Sequence, residues 1–334
     1  MTAQNIIHSA TAISFNAIRQ LTAEEMSAVD QLILAKLSSK VELVNKIGYY
    51  IISNGGKRLR PLLLLLTAKA LGNSNEHQVT LATVVEFLHT ASLLHDDVID
   101  EATLRRGQES ANLVWGNAAS VLVGDFLYAN AFQMMTQTGD VRVMDLVSQT
   151  VATLTEGEVL QLVNCNNPDT TEAQYLEVIS CKTAILFETA AHLAALISNA
   201  TPEQTQGLAD YGLALGMAFQ LVDDALDYTA NVAELGKNLG NDLAEGKTTL
   251  PLIYAMQHAQ PDDAHIIVEA IKNDSAEAFQ HVYAVVMKTD AIVYTIQRAE
   301  EQAEKAIAAL VCLPDSIYKD ALIDLAKFSV QRSH

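Results

Sequence analysis

The 334-residue chain carries 40 acidic against 21 basic side chains, a formal net charge of −19, which argues against a nucleic-acid partner because phosphate backbones reward basic surface. Half of its residues are hydrophobic and only six are proline, the composition of a mainly helical protein with a large core. No uninterrupted apolar run reaches the roughly 18–20 residues of a membrane span, and the opening MTAQNIIHSATAIS lacks the basic segment of a signal peptide, so a cytoplasmic protein is expected.

Residues 1–20 carry weak signals and read as a loosely held arm before a single domain over 21–334. Thr22-Ala-Glu-Glu25 has the capping-box pattern and predicts a helix start, continuing with breaks to Tyr50. Gly55-Gly-Lys-Arg-Leu-Arg-Pro61 then joins two glycines to three cations. Gly56, Lys57, Arg58 and Arg60 stand before a helix predicted over Leu62–Leu71, with Pro61 tolerated in its first turn. Flexible backbone, clustered cations and a helix N-terminus make an anion site; taken alone, the stretch also reads as a basic surface turn.

His77 to Asp100 reads as one long helix ending in Leu93-Leu-His-Asp-Asp-Val-Ile-Asp100. Positions i and i+4 lie about 40° apart on a helix, so Asp96 and Asp100 share a face with Asp97 at its edge. His89, two turns earlier, points the same way. The helix is expected to end near Thr103, and Arg105 and Arg106 follow, with Gly107 as a stop. A further apolar helix is predicted over Trp115–Met135, interrupted at Gly124-Asp125, and another over Val141–Val163. Glu172–Ser198 reads as helical, and its Lys182-Thr183 pair among apolar neighbours reads more naturally as a snorkelling cation than as a ligand.

Thr201 and Pro202 predict the start of the next helix. It carries Gln220 and then Leu221-Val-Asp-Asp-Ala-Leu-Asp-Tyr228, where Asp223, Asp224 and Asp227 repeat the first spacing. One such set could be a solvated acidic face. Two sets, each preceded by an apolar stretch, predict a bound cation, because like charges at i and i+4 destabilise a helix. Oxygen-only ligands suit Mg²⁺, which takes one or two carboxylates and fills its shell with water and phosphate oxygens. The glycine-rich 236–251 stretch, with Lys237 and Lys247 flanking Asp242 and Glu245, predicts a mobile loop over a phosphate site. Residues 252–334 read as helical scaffold, and no strand pattern persists. Cys165, Cys181 and Cys312 are too few and too scattered for a disulfide framework or a metal site. The simplest arrangement is all-α, one helical domain with one central cleft.

In combination GGKRLRP, LLHDDVIDEATLRRG, GDFLYANAFQMM, EGEVLQL, KTA, AFQLVDDALDY and GKNLGNDLAEGKTTLPL closely resemble the trans-isoprenyl diphosphate synthases, in particular the long-chain bacterial octaprenyl type. The resemblance runs from about residue 20 to the C-terminus. It implies an all-α helical bundle around a deep central cavity, and a homodimeric prenyltransferase that adds isopentenyl diphosphate repeatedly to an allylic diphosphate primer such as farnesyl diphosphate. The product would serve as a quinone side chain, with at most transient membrane contact on release. The resemblance assigns Mg²⁺ to Asp96, Asp97, Asp100, Asp223, Asp224 and Asp227. It assigns the allylic diphosphate to Arg105, Lys182, Thr183, Gln220, Lys237 and Lys247. Isopentenyl diphosphate falls to Lys57, Arg60, His89 and Arg106, with Gly56 and Arg58 assisting.

Ala91 and Ser92, one turn before the first aspartates, are small where shorter-chain relatives carry aromatics. That implies an open path for a long product, with Phe132 and neighbouring Met135 as its floor. The alternatives are a shorter-chain farnesyl or geranylgeranyl synthase, a terpene cyclase, an HD-type metallophosphohydrolase built on His95-Asp96, and a noncatalytic subunit of a heteromeric synthase. The second aspartate set and the intact GGKRLRP argue against the last three.

Overall fold

A computed structural model describes residues 14–53, 56–72, 75–229, 240–273 and 278–331. Eight helices lead to the centre of the fold: α1 Phe15–Gln20, α2 Ala23–Lys36, α3 Glu42–Ser53, α4 Leu59–Ala70, α5 Gln78–Ile99, α6 Ala111–Trp115, α7 Asn117–Thr136 and α8 Val141–Asn164. They are followed by α9 Glu172–Ile179, a π turn Ser180–Ala184, α10 Ile185–Ile197 and the 28-residue α11 Pro202–Thr229. The remainder is α12 Asn241–Ala244, α13 Leu250–His258, α14 Pro261–Lys272, α15 Phe279–Lys288, α16 Ala291–Ala309 and α17 Ile317–Gln331.

Helices α4, α5, α10 and α11 form the middle of the bundle, with α7 packed along α5 and α16 along α11. Leu62 to Leu66 of α4 are all fully buried, which is what a helix apolar on every side requires. Most of the buried apolar side chains join one core, and a satellite core forms around Tyr228, Leu243, Ile267 and Val282.

Several local expectations change in the fold. Residues 1–20 are not wholly an arm: Ser14 caps α1, Ile18 is buried, and Phe15 stacks on Phe328 of α17. Thr22 precedes α2 but makes no side-chain cap; its hydroxyl donates instead to the Arg19 carbonyl. Thr201 does cap α11, exchanging bonds with Gln204. Helix α7 runs unbroken through Gly124, because a helical glycine costs only about 1 kcal/mol and the contact with α5 outweighs it. The chain breaks instead at Gly116.

The first aspartate helix ends at Ile99, and a short strand pair follows, Leu104 opposite Glu109 and Arg105 opposite Gln108. Arg106 and Gly107 both have positive φ, 55° and 76°, the geometry of a two-residue hairpin turn. A two-residue ladder is too brief to leave a readable alternation.

Glu172–Ile197 is one stretch long and apolar enough to cross a membrane by length and composition, although 61% of its most apolar window is buried inside the protein. It is a core element. Its π turn sits where α8 and α11 press closest. A Cβ at Gly157 would lie 2.9 Å from the Lys182 nitrogen, and one at Gly216 would lie 2.5 Å from the Ala184 Cα. Glycine at both positions lets two helices close on the turn, and π turns inside α-helices often mark functional sites.

Candidate active site

A cavity of about 580 Å³ opens between α4, α5, the π turn and α11. Its two ends differ in charge. At one end Asp96 and Asp223 face each other's helices, with Glu158, Lys182, Thr183 and Gln220 in the wall. At the other lie Gly56, Lys57, Arg58, Arg60, His89 and Arg106. Residues 96 and 223 are 127 positions apart in the chain, and only the packing of α5 and α11 brings them to one cleft.

The acidic end is cross-braced. Arg105 donates from Nε to Asp97 Oδ1 at 2.8 Å and a second time from its terminal nitrogen. Lys182 Nζ donates to Glu158 at 2.5 Å and stands 3.7 Å from Asp96. Lys247 Nζ donates to Asp100 at 2.8 Å and to Glu245 at 2.6 Å. The backbone N–H groups of Asn241 and Asp242 donate to the two oxygens of Asp227, both at 3.2 Å. The 240–249 stretch thus touches both aspartate sets.

Negative charge still exceeds positive charge there. Burial, reinforced by Asp96, pushes Glu158 up to about 7. Burial, with Asp223 and Asp227 adding, pushes Asp224 up to about 7. Asp97 and Asp242 are raised as well, again first by burial. Burial works against the charged form of Lys247, yet Asp100, Glu245 and Asp242 hold its affinity for protons above the usual lysine range.

Asp97 Oδ2 and Glu158 Oε1 are buried without a hydrogen-bond partner. Unpartnered carboxylate oxygens in a charge-deficient pocket suit a hard divalent cation. Among the described residues no three acidic, histidine or cysteine side chains converge on one point.

At the basic end Glu86 accepts from Arg58 Nη1 at 2.5 Å and favours the charged forms of Arg60 and Arg106, while Asp30 also pairs with Arg58 and Asp223 also favours the charge on Arg60. Arg60 is enclosed so closely that desolvation pulls it down to about 10. Its guanidinium carbon lies 4.4 Å from the Phe187 ring centroid, and its Nε has no partner. His89 is held well below its ordinary range by burial and then by Arg60 and Arg106, so it is a neutral imidazole that can donate one hydrogen bond. Lys57 lies 5.7 Å from the Phe328 ring centroid on α17. A buried, half-satisfied arginine beside further cations is an anion site.

The model of the family described as polyprenyl synthetase matches residues 41–286. Octaprenyl diphosphate synthase of Escherichia coli (strain K12) is 50% identical over 321 residues, 96% of this chain and 99% of that protein. Octaprenyl diphosphate synthase of Haemophilus influenzae is 49% identical over 323 residues, 96% and 98% of the two chains. A crystal structure described as polyprenyl synthase from Caulobacter crescentus CB15 complexed with calcium and isoprenyl diphosphate aligns with TM-score 0.94 at 40% identity, covering 98% of this chain and 100% of that one. This chain belongs to the polyprenyl synthetase family. It is a prenyltransferase of the polyprenyl diphosphate synthase kind.

Within this polyprenyl synthetase, several expected residues play different parts. Arg58 is engaged by Glu86 and, at 3.5 Å, by Asp30, so it braces the basic end more than it reaches into it. Asp224 does not face the cleft: Tyr175 donates to its Oδ2 and Gln220 Nε2 donates to its Oδ1 at 2.8 Å. Lys182, in the π turn, points at the acidic end and not at solvent, with its Nζ bonded to Glu158 and 3.7 Å from Asp96. Lys237 lies outside the described residues.

Of the four chain-length residues, only Ser92 lines the cavity. Ala91 and Met135 are buried in the main core, and Phe132 packs against it. The HD pair is split across the helix: His95 hydrogen-bonds the Val121 carbonyl of α7, 3.1 Å away, while Asp96 faces the cleft. That removes the hydrolase reading.

Sequence reasoning missed Glu86, Tyr175 and the role of Glu158. Glu86 lies three residues before His89, on the same helical face, and that spacing was the available signal. Tyr175 left none.

Proposed function

We propose that the protein makes a long-chain all-trans-polyprenyl diphosphate, an octaprenyl product, by repeated condensation of isopentenyl diphosphate onto an allylic diphosphate. The carrying observation is the 580 Å³ cavity whose lining combines the acidic group Asp96, Glu158 and Asp223 with the basic group around Arg58, Arg60 and Arg106. Two differently charged ends suit two diphosphates with different tasks. The near-full-length identity to the octaprenyl diphosphate synthases supports the product class.

Asp96, Asp97 and Asp100, with Asp223 and Asp227 opposite, would hold Mg²⁺, which supplies charge neutralisation for a departing diphosphate. Lys182, Lys247 and Arg105 stand at the same end and bind the allylic diphosphate, with Thr183, Gln220 and Lys237 assigned to it by resemblance. Lys57, Arg60, Arg106 and neutral His89 hold isopentenyl diphosphate, so its double bond is presented to the allylic C1. The allylic C–O bond breaks with its electron pair on the diphosphate. The isopentenyl C4 then bonds to C1, leaving a tertiary cation at C3, and loss of a C2 proton forms the new trans double bond. Fixed cations aimed at the leaving group stabilise that charge without reorganising.

The growing tail would run along the α5–α7 seam. Ser92, Ala91 and Ala131 are small there, and Phe132 and Met135 would end the path. A homodimer is supported by exposed apolar side chains on neighbouring α6, α7 and α8: Leu113, Val114, Leu122, Val159, Leu162 and Val163. Exposed apolar surface of this kind is what association would cover; sedimentation of a single species at monomer mass would overturn the dimer. We assign the enzyme to the cytoplasm and its product to quinone side-chain synthesis.

The test is incubation with Mg²⁺, radiolabelled isopentenyl diphosphate and farnesyl diphosphate, followed by chromatography of the dephosphorylated products. A ladder ending at octaprenol is expected. A ladder ending at geranylgeraniol would retain the chemistry and refute the open path, and no incorporation would refute the synthase reading.

A further inference from the structure

The large cavity shares part of its wall with a smaller one. Lys182, Thr183 and Gln220 line the 580 Å³ cavity on one side and a second cavity of about 140 Å³ on the other. Glu158 and Asp96 hold Lys182, whereas Thr183 and Gln220 are held by a chain of hydrogen bonds: Tyr175 to Asp224, Gln220 to Asp224 at 2.8 Å, and Thr183 to Gln220 at 3.0 Å. Tyr175 is the far end of that chain, buried on α9 and lining the smaller cavity.

The bonds also orient the Gln220 amide. With Nε2 committed to Asp224, its oxygen is turned to the Thr183 hydroxyl. Thr183 belongs to the π turn, next to Lys182. π turns inside α-helices often mark functional sites, and this one carries Lys182 beside Glu158 and Asp96. The bonds tie three elements, α9, α11 and the π turn, at that point.

We propose that Tyr175 is a positioning residue for the allylic diphosphate, acting through Asp224, Gln220 and Thr183 to fix the π turn that aims Lys182 at Asp96 and Glu158. Asp224 thereby acts as an anchor on the side of the smaller cavity, while Asp223 lines the larger one. The inference deepens the synthase reading and rests on it for the identity of the ligand.

The experiment compares Tyr175→Phe and Thr183→Val, each in the full chain. Tyr175→Phe keeps the ring and leaves one buried carboxylate oxygen unpaired. The KM for farnesyl diphosphate should rise roughly tenfold, in line with loss of a charge-assisted hydrogen bond, while the KM for isopentenyl diphosphate stays within about twofold. Thr183→Val should show the same split.

Because both residues act through one chain, the double variant should be no worse than the poorer single. Calorimetric binding of an allylic thiolodiphosphate, whose C–S bond resists ionisation, should weaken in parallel and needs no turnover. Equal rises in both KM values, additive losses in the double variant, or unchanged thiolodiphosphate binding would each overturn the proposal. If the wild type makes no product at all, the synthase reading fails, and the thiolodiphosphate titration still decides the part played by Tyr175.

Discussion

The two ends of the cavity solve opposite problems. At the acidic end the carboxylates exceed their partners, so burial raises Glu158 and Asp224 to about 7 and leaves Asp97 Oδ2 unpaired. At the basic end burial pulls Arg60 down to about 10, and Glu86 is the carboxylate that favours both Arg60 and Arg106. One end is completed by an added cation and the other by an added anion. The comparison explains how one cavity can keep two diphosphates apart without a partition of backbone.

The largest effect should come from breaking the acidic end. Asp96→Ala is expected to lower kcat by roughly a thousandfold or more, as for loss of a principal charge-stabilising group, with little change in thermal midpoint. Single-turnover product formation measures it, and retention of full activity would remove Asp96 from the metal set. Next, Arg60→Met should raise the KM for isopentenyl diphosphate by about a hundredfold, the scale for truncating a buried charged partner. The farnesyl diphosphate KM should hold. Arg58→Met should do less, because Arg58 is already committed to Glu86 and Asp30; an Arg58 effect equal to that of Arg60 would contradict the division of labour.

The two ends should also separate in product length. Ser92→Phe places an aromatic ring on the cavity wall and is expected to shorten the product by several isoprene units. Ala91→Tyr should shorten it too, but at a packing cost of about 1–3 kcal/mol, because Ala91 lies wholly within the core. An unchanged product ladder from both variants would sink the α5–α7 path.

The smallest effect is on stability. Glu158 and Asp224 bind protons more tightly folded than unfolded, so they favour the folded state below about pH 4.5 and 3.8, their ordinary values, and that contribution is lost as pH rises through about 7. Mg²⁺ should therefore raise the thermal midpoint of metal-depleted protein more above pH 7 than below it. A pH-independent increment would show that these carboxylates do not sense the ion.

Periodicity made much of this legible. The helical class, the long helices at 78–99 and 202–229, and the shared face of Asp96 and Asp100 follow from local spacing, because a helix imposes one period along the chain. The cluster at Lys57, Arg58 and Arg60 was equally readable, because its members are adjacent. The Gly124 break was misread, since a propensity of about 1 kcal/mol yields to packing along a whole helix.

What the chain by itself determined was which residue types stand together on one helix or one turn. Only the tertiary structure decided their partners. It sent Arg105 to Asp97 and Arg106 to the opposite end of the cavity, through a two-residue turn with positive φ at both positions. It brought Lys247 to Asp100 across 147 positions, and Tyr175 to Asp224 across 49. Such pairings are set by how helices pack and by which buried charge most needs a counterpart, and neither leaves a period in the sequence.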